Sequence, residues 1–373
     1  MIKTILPPQT IGIIGGGQLG QMLAVSAKSM GYHVGILDPT PNSPAGQVSD
    51  FQIIAAYNDQ AALTDFAKRV DVLTYEFENI DLDALNSVTQ ITELPQGTEL
   101  LRLTRNRLIE KNNLQSLGIP TVNFIEISVK TLLEKQSAIE KCLPGILKTT
   151  TGGYDGHGQC DVNTIADIKA AAELYRDAPA ILEQRISFEK EISVMVTIDG
   201  NENVRIWPVV ENKHANHILQ TTIAPADVTI EVTNQVNQIA HTLAQAFNLR
   251  GVLGIEMFVT TTNEVLVNEL APRPHNSGHY SIEAMNVSQF EGHIRSITGL
   301  PIDKLTMIAP ALMHNLLGEQ LVTARKQLNS HAEWHFHDYG KAEIRLGRKL
   351  GHYTVLGEKN INKNLTWLID NEE

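Results

Sequence analysis

The chain reads as an α/β protein, α+β overall, with a parallel sheet at its start and a small β-rich unit at its end. Three observations predict this. The first hundred or so residues alternate apolar strand runs with helical spacings, the pattern of parallel strands joined by right-handed crossovers. Further on, two strand-like runs, 254–259 and 265–270, flank a short polar stretch with the composition of a hairpin turn. Beyond Pro310 the chain becomes short-segmented, strand-like and rich in histidine and basic residues.

Each element has its own signal. Ile11–Ile14 reads as a buried strand, and a Gly-rich turn follows it. A helix over about 18–30 carries Leu19, Met22, Leu23, Ala27 and Met30 near helical spacing, and Gly31 ends it. Val34–Leu37, Phe51–Ala55 and Val72–Phe77 are the next strands, with a helix near 60–69. The spacing then predicts helix 106–117, strand 121–127, helix 129–141 and strand 145–150, leading to a second Gly-rich loop. Ala180–Ile186 and Glu191–Ile198 are adjacent strand runs, and a long helix near 230–247 precedes the hairpin. Ser288 with Glu291 matches a capping box that opens another helix.

With 373 residues the chain suggests two or three domains, and 42% hydrophobic with 19% charged residues suits a globular fold. A net charge of −12 argues against general nucleic-acid binding, which needs a basic face. No apolar run approaches a membrane span, and the apolar N-terminus is too brief for a signal peptide. Cys142 and Cys160 offer neither a disulfide framework nor a zinc spacing. A cytoplasmic protein is expected.

The hairpin carries the most chemistry. A turn centred on Thr262 and Asn263 sets Glu256 opposite Glu269, and like charges directly across a strand pair are destabilising. A hard divalent cation held by both is the simplest explanation. Magnesium is typically bound through one or two carboxylates plus substrate phosphates. A solvated hairpin face is the alternative.

Five other segments stand out. Gly15-Gly16-Gly17-Gln18-Leu19-Gly20, with Asp38 about twenty residues on, matches a dinucleotide fingerprint, although a helix N-terminus there would bind any phosphate. Lys148 precedes a loop with glycines at 152, 153, 156 and 158, suited to wrapping phosphates and closing as a lid. The run 268–279 holds Arg273, His275, Asn276, Ser277 and His279 near the hairpin, stiffened by Pro272 and Pro274. Lys341 to His352 has a local charge of +3 and reads equally as an anion site or a solvated strand edge. Tyr75-Glu76-Phe77-Glu78-Asn79 sits at the C-terminal end of a parallel strand, where open sheets bind ligands.

Together these motifs resemble the ATP-grasp superfamily and, within it, the 5-(carboxyamino)imidazole ribonucleotide synthase family. The likeness runs through 15–20, 75–79, 152–159, 268–279 and 347–352, nearly the whole chain. His157 departs from it, standing where the family usually has Arg or Lys. The resemblance implies an ATP-grasp fold: a Rossmann-like N-terminal domain over 1–105, an ATP-grasp domain over 106–300 with a lid at about 120–190, and a C-terminal β-rich domain over 301–373. It further implies ATP contacts from Arg107, Lys148, Gly153, Tyr154, Asp155, Gly156, His157, Gly158, Gln159, Glu183, Gln184, Arg185, Ile186, Glu191, His214, Asn268 and Glu269. In that scheme the 183–186 backbone reads the adenine edge and Glu191 takes the ribose hydroxyls. Glu256 and Glu269 match the ligands of magnesium, for which manganese can stand in. Aminoimidazole ribonucleotide would meet Gln18, Leu19, Glu76, Asn276 and Ser277, with its phosphate at Lys341, Arg348 and Lys349. Lys148, Tyr154, Asp155, Arg273 and His275 are the implied catalytic residues, His275 also being the favoured base.

The implied reaction joins bicarbonate to aminoimidazole ribonucleotide at the expense of ATP, through carboxyphosphate, in purine biosynthesis by a homodimer. Its rivals are a formate-dependent glycinamide ribonucleotide transformylase, an NAD-dependent dehydrogenase built on the first turn, and a non-catalytic nucleotide-binding protein.

Overall fold

The structure, a computed structural model, describes residues 3–78, 80–152 and 158–371, and the elements given are those of the described residues. Strands β1 (Thr10–Ile14), β2 (His33–Leu37), β3 (Phe51–Ile53) and β4 (Val72–Tyr75) form a parallel sheet in the order β3-β2-β1-β4. The helix Gln18–Ser29 buries Leu19, Met22, Leu23 and Ala27, the face that its spacing predicts. Gly31, at φ +90°, adopts the left-handed conformation that ends it. The helix Gln60–Lys68 starts at Asp59, whose carboxylate accepts from the N–H groups of Ala61 and Ala62.

A second sheet is antiparallel, in the order β5-β8-β6-β7: β5 (Phe124–Ile127), β6 (Gly145–Thr149), β7 (Gln159–Val162) and β8 (Ala180–Gln184). The helix expected over 129–141 is two short ones, Val129–Glu134 and Gln136–Glu140. They are separated at Lys135, whose backbone (φ −125°, ψ 32°) is not helical.

The remaining strands share one large sheet: β9 (Phe188–Ile198), β10 (Val204–Ile206), β11 (Val210–Ala215), β12 (Ile218–Ala224), β13 (Leu253–Thr260), β14 (Val265–Ala271), β15 (Ala311–Leu317), β16 (His335–Asp338) and β17 (Lys349–Leu356). Its order is β14-β13-β9-β11-β12-β15-β17-β16, with β10 paired to β9. The helix Ile230–Ala246 packs Val232, Val236, Ile239 and Leu243 on one face of it, over Ile255, Met257, Val265 and Val267. Burying those side chains contributes roughly 1.5–3 kcal/mol each.

The C-terminal unit is β-rich, and its strands extend this large sheet. It also contains two helices that a strand-like reading overlooks, Gln320–Gln327 and Glu358–Asn371. The second was legible: Ile361, Leu365 and Leu368 lie four and three apart, the first two pack against the sheet, and the third is buried.

Candidate active site

The hairpin β13–β14 pairs Glu256 with Glu269, but not for the reason its turn suggests. Val259 pairs with Val265 and Met257 with Val267, one residue out of the expected register. A β-bulge between Glu256 and Met257 then shifts the pairing, so that Glu256 faces Glu269 and Ile255 faces Leu270. The core side chains explain why. Val265, Val267 and Leu270 all enter the core, and plain alternation would send Glu269 there instead of Leu270. The bulge uses one extra residue, leaving Asn268 and Glu269 together outside the core.

Around this pair the charges are arranged for a cation. His275 Nε2 lies 3.1 Å from Glu256 Oε1. Burial alone would raise the Glu256 carboxyl, but this histidine, with His214 and Lys349, holds it down at about 2. Glu269 goes the other way, raised by desolvation in the cleft and by the charge of Glu256. Two such carboxylates suit a hard cation completed by phosphate oxygens. Among the described residues there is no larger cluster of His, Cys, Asp or Glu that could hold a metal. The donor set therefore fits magnesium.

A cationic cluster, Lys148 and Arg107, lies near enough to act on Glu269. Lys148, on β6, places Nζ 2.6 Å from Glu183 Oε2, on β8. Burial would raise the Glu183 carboxyl, but Lys111 and Lys148 outweigh that and keep it below its ordinary range. Arg107 opens the helix Arg107–Ser116, and its Nη1 donates to Thr149 O (3.1 Å). Gly158 O accepts from Thr149 N (2.8 Å), and Gln159 pairs with Lys148. Glu191 is bonded to His214 Nδ1. Burial opposes charge on this histidine, yet Glu191 raises its pKa overall. Phe188 and Phe258 stack at 4.7 Å beside Glu191, an aromatic surface that sequence reasoning passed over.

The 183–186 segment is a partial correction. Gln184 N already donates to Asn123 O and Arg185 N to Pro144 O, so these amides are committed to the protein. The Arg185 guanidinium pairs with Asp161 at the surface. Among the described residues the Ile186 N–H takes no backbone carbonyl.

A cavity of about 300 Å³ adjoins the hairpin, lined by Gln18, Leu19, Glu76, Phe77, Glu78, Arg273, His275, Asn276 and Lys349. Arg273 donates twice to Glu78, Nε at 2.6 Å and Nη2 at 3.1 Å, a paired geometry that fixes the guanidinium plane. Burial would raise the Glu78 carboxyl, and Arg273 instead draws it down to about 2. Asn276 and Asn315 exchange amide hydrogen bonds (3.0 and 2.6 Å), so β15 holds one cavity wall. Lys341 donates to Lys349 O (2.7 Å), and Arg348 to Glu343 O (3.2 Å).

Three expectations are corrected here. The first Gly-rich turn is not a phosphate or NAD site. Gly17 N (2.5 Å) and Gly20 N (2.6 Å) donate to Glu76, and Gly16 N (2.7 Å) donates to Asp38. The protein's own carboxylates fill the helix N-terminus, and a Cβ on Gly17 would come within 2.6 Å of Glu76 Oε1. Ser277 is fully buried rather than open to substrate. Its hydroxyl contacts His275 Nδ1 (2.8 Å) and Ser193 Oγ (2.6 Å), and Asn212 donates to Ser193 (2.9 Å). With Nδ1 on Ser277 and Nε2 on Glu256, His275 has both ring nitrogens engaged and is not free to act as a base. Gly153, Tyr154, Asp155, Gly156 and His157 lie outside the described residues. No helix of the described residues is long and apolar enough to cross a membrane.

Comparison with known proteins agrees with this geometry. Residues 8–103 match the ribonucleotide synthetase preATP-grasp domain and 112–290 the ATP-grasp domain. Residues 311–363 match the phosphoribosylaminoimidazole carboxylase C-terminal domain. N5-carboxyaminoimidazole ribonucleotide synthase of Bacillus subtilis (strain 168) is 46% identical over 354 residues, covering 95% of this chain and 93% of that one. The crystal structure of an ADP complex of an N5-carboxyaminoimidazole ribonucleotide synthetase superposes with a TM-score of 0.93 at 43% identity, over 100% of both chains. The Aspergillus clavatus synthase, in complex with ADP and 5-aminoimidazole ribonucleotide, gives 0.89 at 32% identity, over 97% of this chain and 98% of that one.

Proposed function

Because the chain belongs to the N5-carboxyaminoimidazole ribonucleotide synthase family of ATP-grasp ligases, it carries out the ATP-dependent carboxylation of 5-aminoimidazole ribonucleotide in purine biosynthesis, and we propose a division of labour among its residues. Glu256 and Glu269 would hold magnesium, or manganese in its place, which neutralises charge on the transferring phosphoryl group. Lys148 and Arg107 bind the ATP phosphates, with Gly153 to Gln159 closing over them. Ile186 N–H reads the adenine edge above the Phe188–Phe258 pair. Glu191, steadied by His214, takes the ribose hydroxyls.

Bicarbonate is a poor electrophile. Phosphorylation by ATP converts it to carboxyphosphate, releasing ADP and giving the carbon a phosphate leaving group. Arg273, its plane fixed by Glu78, holds the anionic carboxyphosphate against the cavity, with Tyr154 and Asp155 completing the pocket. The ribonucleotide lies along Gln18, Leu19, Glu76 and Asn276, with its phosphate at Lys341, Arg348 and Lys349. Its amine attacks the carbon, the C–O bond to phosphate breaks, and the released phosphate takes the amine proton. His275 keeps Glu256 ionised and oriented.

The observation that carries this reading is the opposed glutamate pair at the edge of a cavity lined by Arg273 and Lys349. It is tested with ATP, isotopically labelled bicarbonate and each candidate ribonucleotide. ADP should form together with labelled carboxylated product only when aminoimidazole ribonucleotide is present. ADP release with glycinamide ribonucleotide alone overturns the assignment. We also place the enzyme in the cytoplasm as a homodimer, on its free cysteines and family membership, to be checked by fractionation and sedimentation.

A further inference from the structure

The helix Arg107–Ser116 turns charge inward. Ile109 is exposed, while Lys111 is only 1% exposed. A buried ammonium is tolerated only when it is paired and hydrogen-bonded. Lys111 Nζ donates to the carbonyl oxygens of Val267 (3.2 Å) and Asn268 (2.8 Å) and lies 3.8 Å from Glu183 Oε1.

Those partners are informative. In an unbroken strand, consecutive carbonyls point to opposite sides, so one ammonium reaches only one of them. Lys111 reaches both because the chain bulges there, at the residues that carry Asn268 and Glu269 out of the core. β14 is the edge strand of its sheet at this point, bound on its outer side by Val267 N donating to Pro120 O (2.8 Å). The third partner, Glu183, belongs to the other antiparallel sheet and uses its second oxygen on Lys148. One ammonium therefore ties the bulge of the acidic hairpin to the anchor of the phosphate lysine, across two sheets.

We infer that Lys111 is a positioning residue that fastens the β14 bulge to Glu183 and so sets the affinity for the metal–nucleotide pair. The inference rests on the proposed reading of Glu256 and Glu269 as metal ligands. A purely structural ion pair would stabilise the fold without moving metal affinity.

The experiment measures Mn²⁺ binding by electron paramagnetic resonance, with a non-hydrolysable ATP analogue present, in the wild type, Lys111→Met and Glu269→Gln. The KM for aminoimidazole ribonucleotide is measured alongside. Lys111→Met should weaken Mn²⁺ binding at least tenfold and leave that KM within twofold. If Lys111→Met binds Mn²⁺ like the wild type while Glu269→Gln does not, the inference is overturned and the metal reading stands. If both bind normally, the metal reading falls and takes the inference with it. Should Lys111→Met fail to fold, Lys111→Gln, which keeps an amide donor group but no charge, is judged by the same criteria.

Discussion

Lys341 and Ser277 show how position alters what a side chain can do. Burial, and then the charge of Arg348, push the Lys341 ammonium down to about 8. It is charged below that pH and neutral above it, and a neutral amine attracts a phosphate weakly. The kcat/KM for aminoimidazole ribonucleotide should therefore fall above about pH 8, while Lys341→Arg, charged throughout, loses that limb. A pH profile of kcat/KM for both enzymes checks this, and superimposable profiles would remove Lys341 from the phosphate site. Ser277 makes the opposite point. Buried beneath His275, it is closed to substrate and hydrogen-bonds that ring. Ser277→Ala leaves the partners at His275 and Ser193 short of a hydrogen bond, at about 1–3 kcal/mol. The expected outcome is a lower kcat and a lower melting temperature with the KM for the ribonucleotide within twofold. A KM effect alone would restore the substrate contact that the sequence suggested.

Among elements, the acidic hairpin shows which parts of the site could be read from sequence. Its glutamates were legible because two charges interrupt otherwise apolar strands. The bulge was legible too, though unread: apolar positions 265, 267 and 270 break alternation between 267 and 270. Lys111 gave no such signal, since a lysine at mid-helix beside Glu110 reads as a solvated face, and only the sheets folding over it reveal otherwise. The Gly-rich turn misled because its pattern specifies amides at a helix end, and says nothing of the Glu76 carboxylate brought to them from 59 residues away. The bulge argument predicts the effect of a deletion. Removing Asn268 restores plain alternation, keeping Glu269 opposite Glu256 and Leu270 in the core. The protein should fold, less stable by about 1–3 kcal/mol because Lys111 loses a carbonyl. ATP turnover should fall at least tenfold. Urea unfolding and an ADP-release assay read the two effects, and a deletion that prevents folding contradicts the register drawn here.

Across the whole molecule, neutral histidines stitch its parts together, and this makes a stability prediction. His293, on the helix Gln289–Ile297, accepts from Val252 N at Nδ1 (3.1 Å), so its Nε2 carries the proton and contacts Thr74 Oγ1 (2.8 Å) on β4. One imidazole thus joins the parallel sheet to the loop entering β13. Protonating Nδ1 would set two donors against each other, and burial drives the His293 pKa down to about 3. His314 is lowered to about 4 by the same cause. A histidine depressed in the fold binds its proton first in the unfolded chain, so its contribution is intact above the unfolded value of about 6.5 and is lost as pH falls below it. Each such group adds about 1.4 kcal/mol per pH unit to the slope of stability against pH in that window. Other groups oppose the trend, since the raised carboxyls of Glu110 and Glu269 are relieved by acid, so the total slope does not isolate His293. A difference does. His293→Gln keeps an acceptor for Val252 and a donor for Thr74 but cannot titrate. Between pH 6 and pH 4 its unfolding free energy should fall less steeply than the wild type's by about 1.4 kcal/mol per unit. Parallel curves from urea unfolding across that range would mean that His293 does not change its protonation on unfolding, and the stitch would then owe nothing to its neutrality.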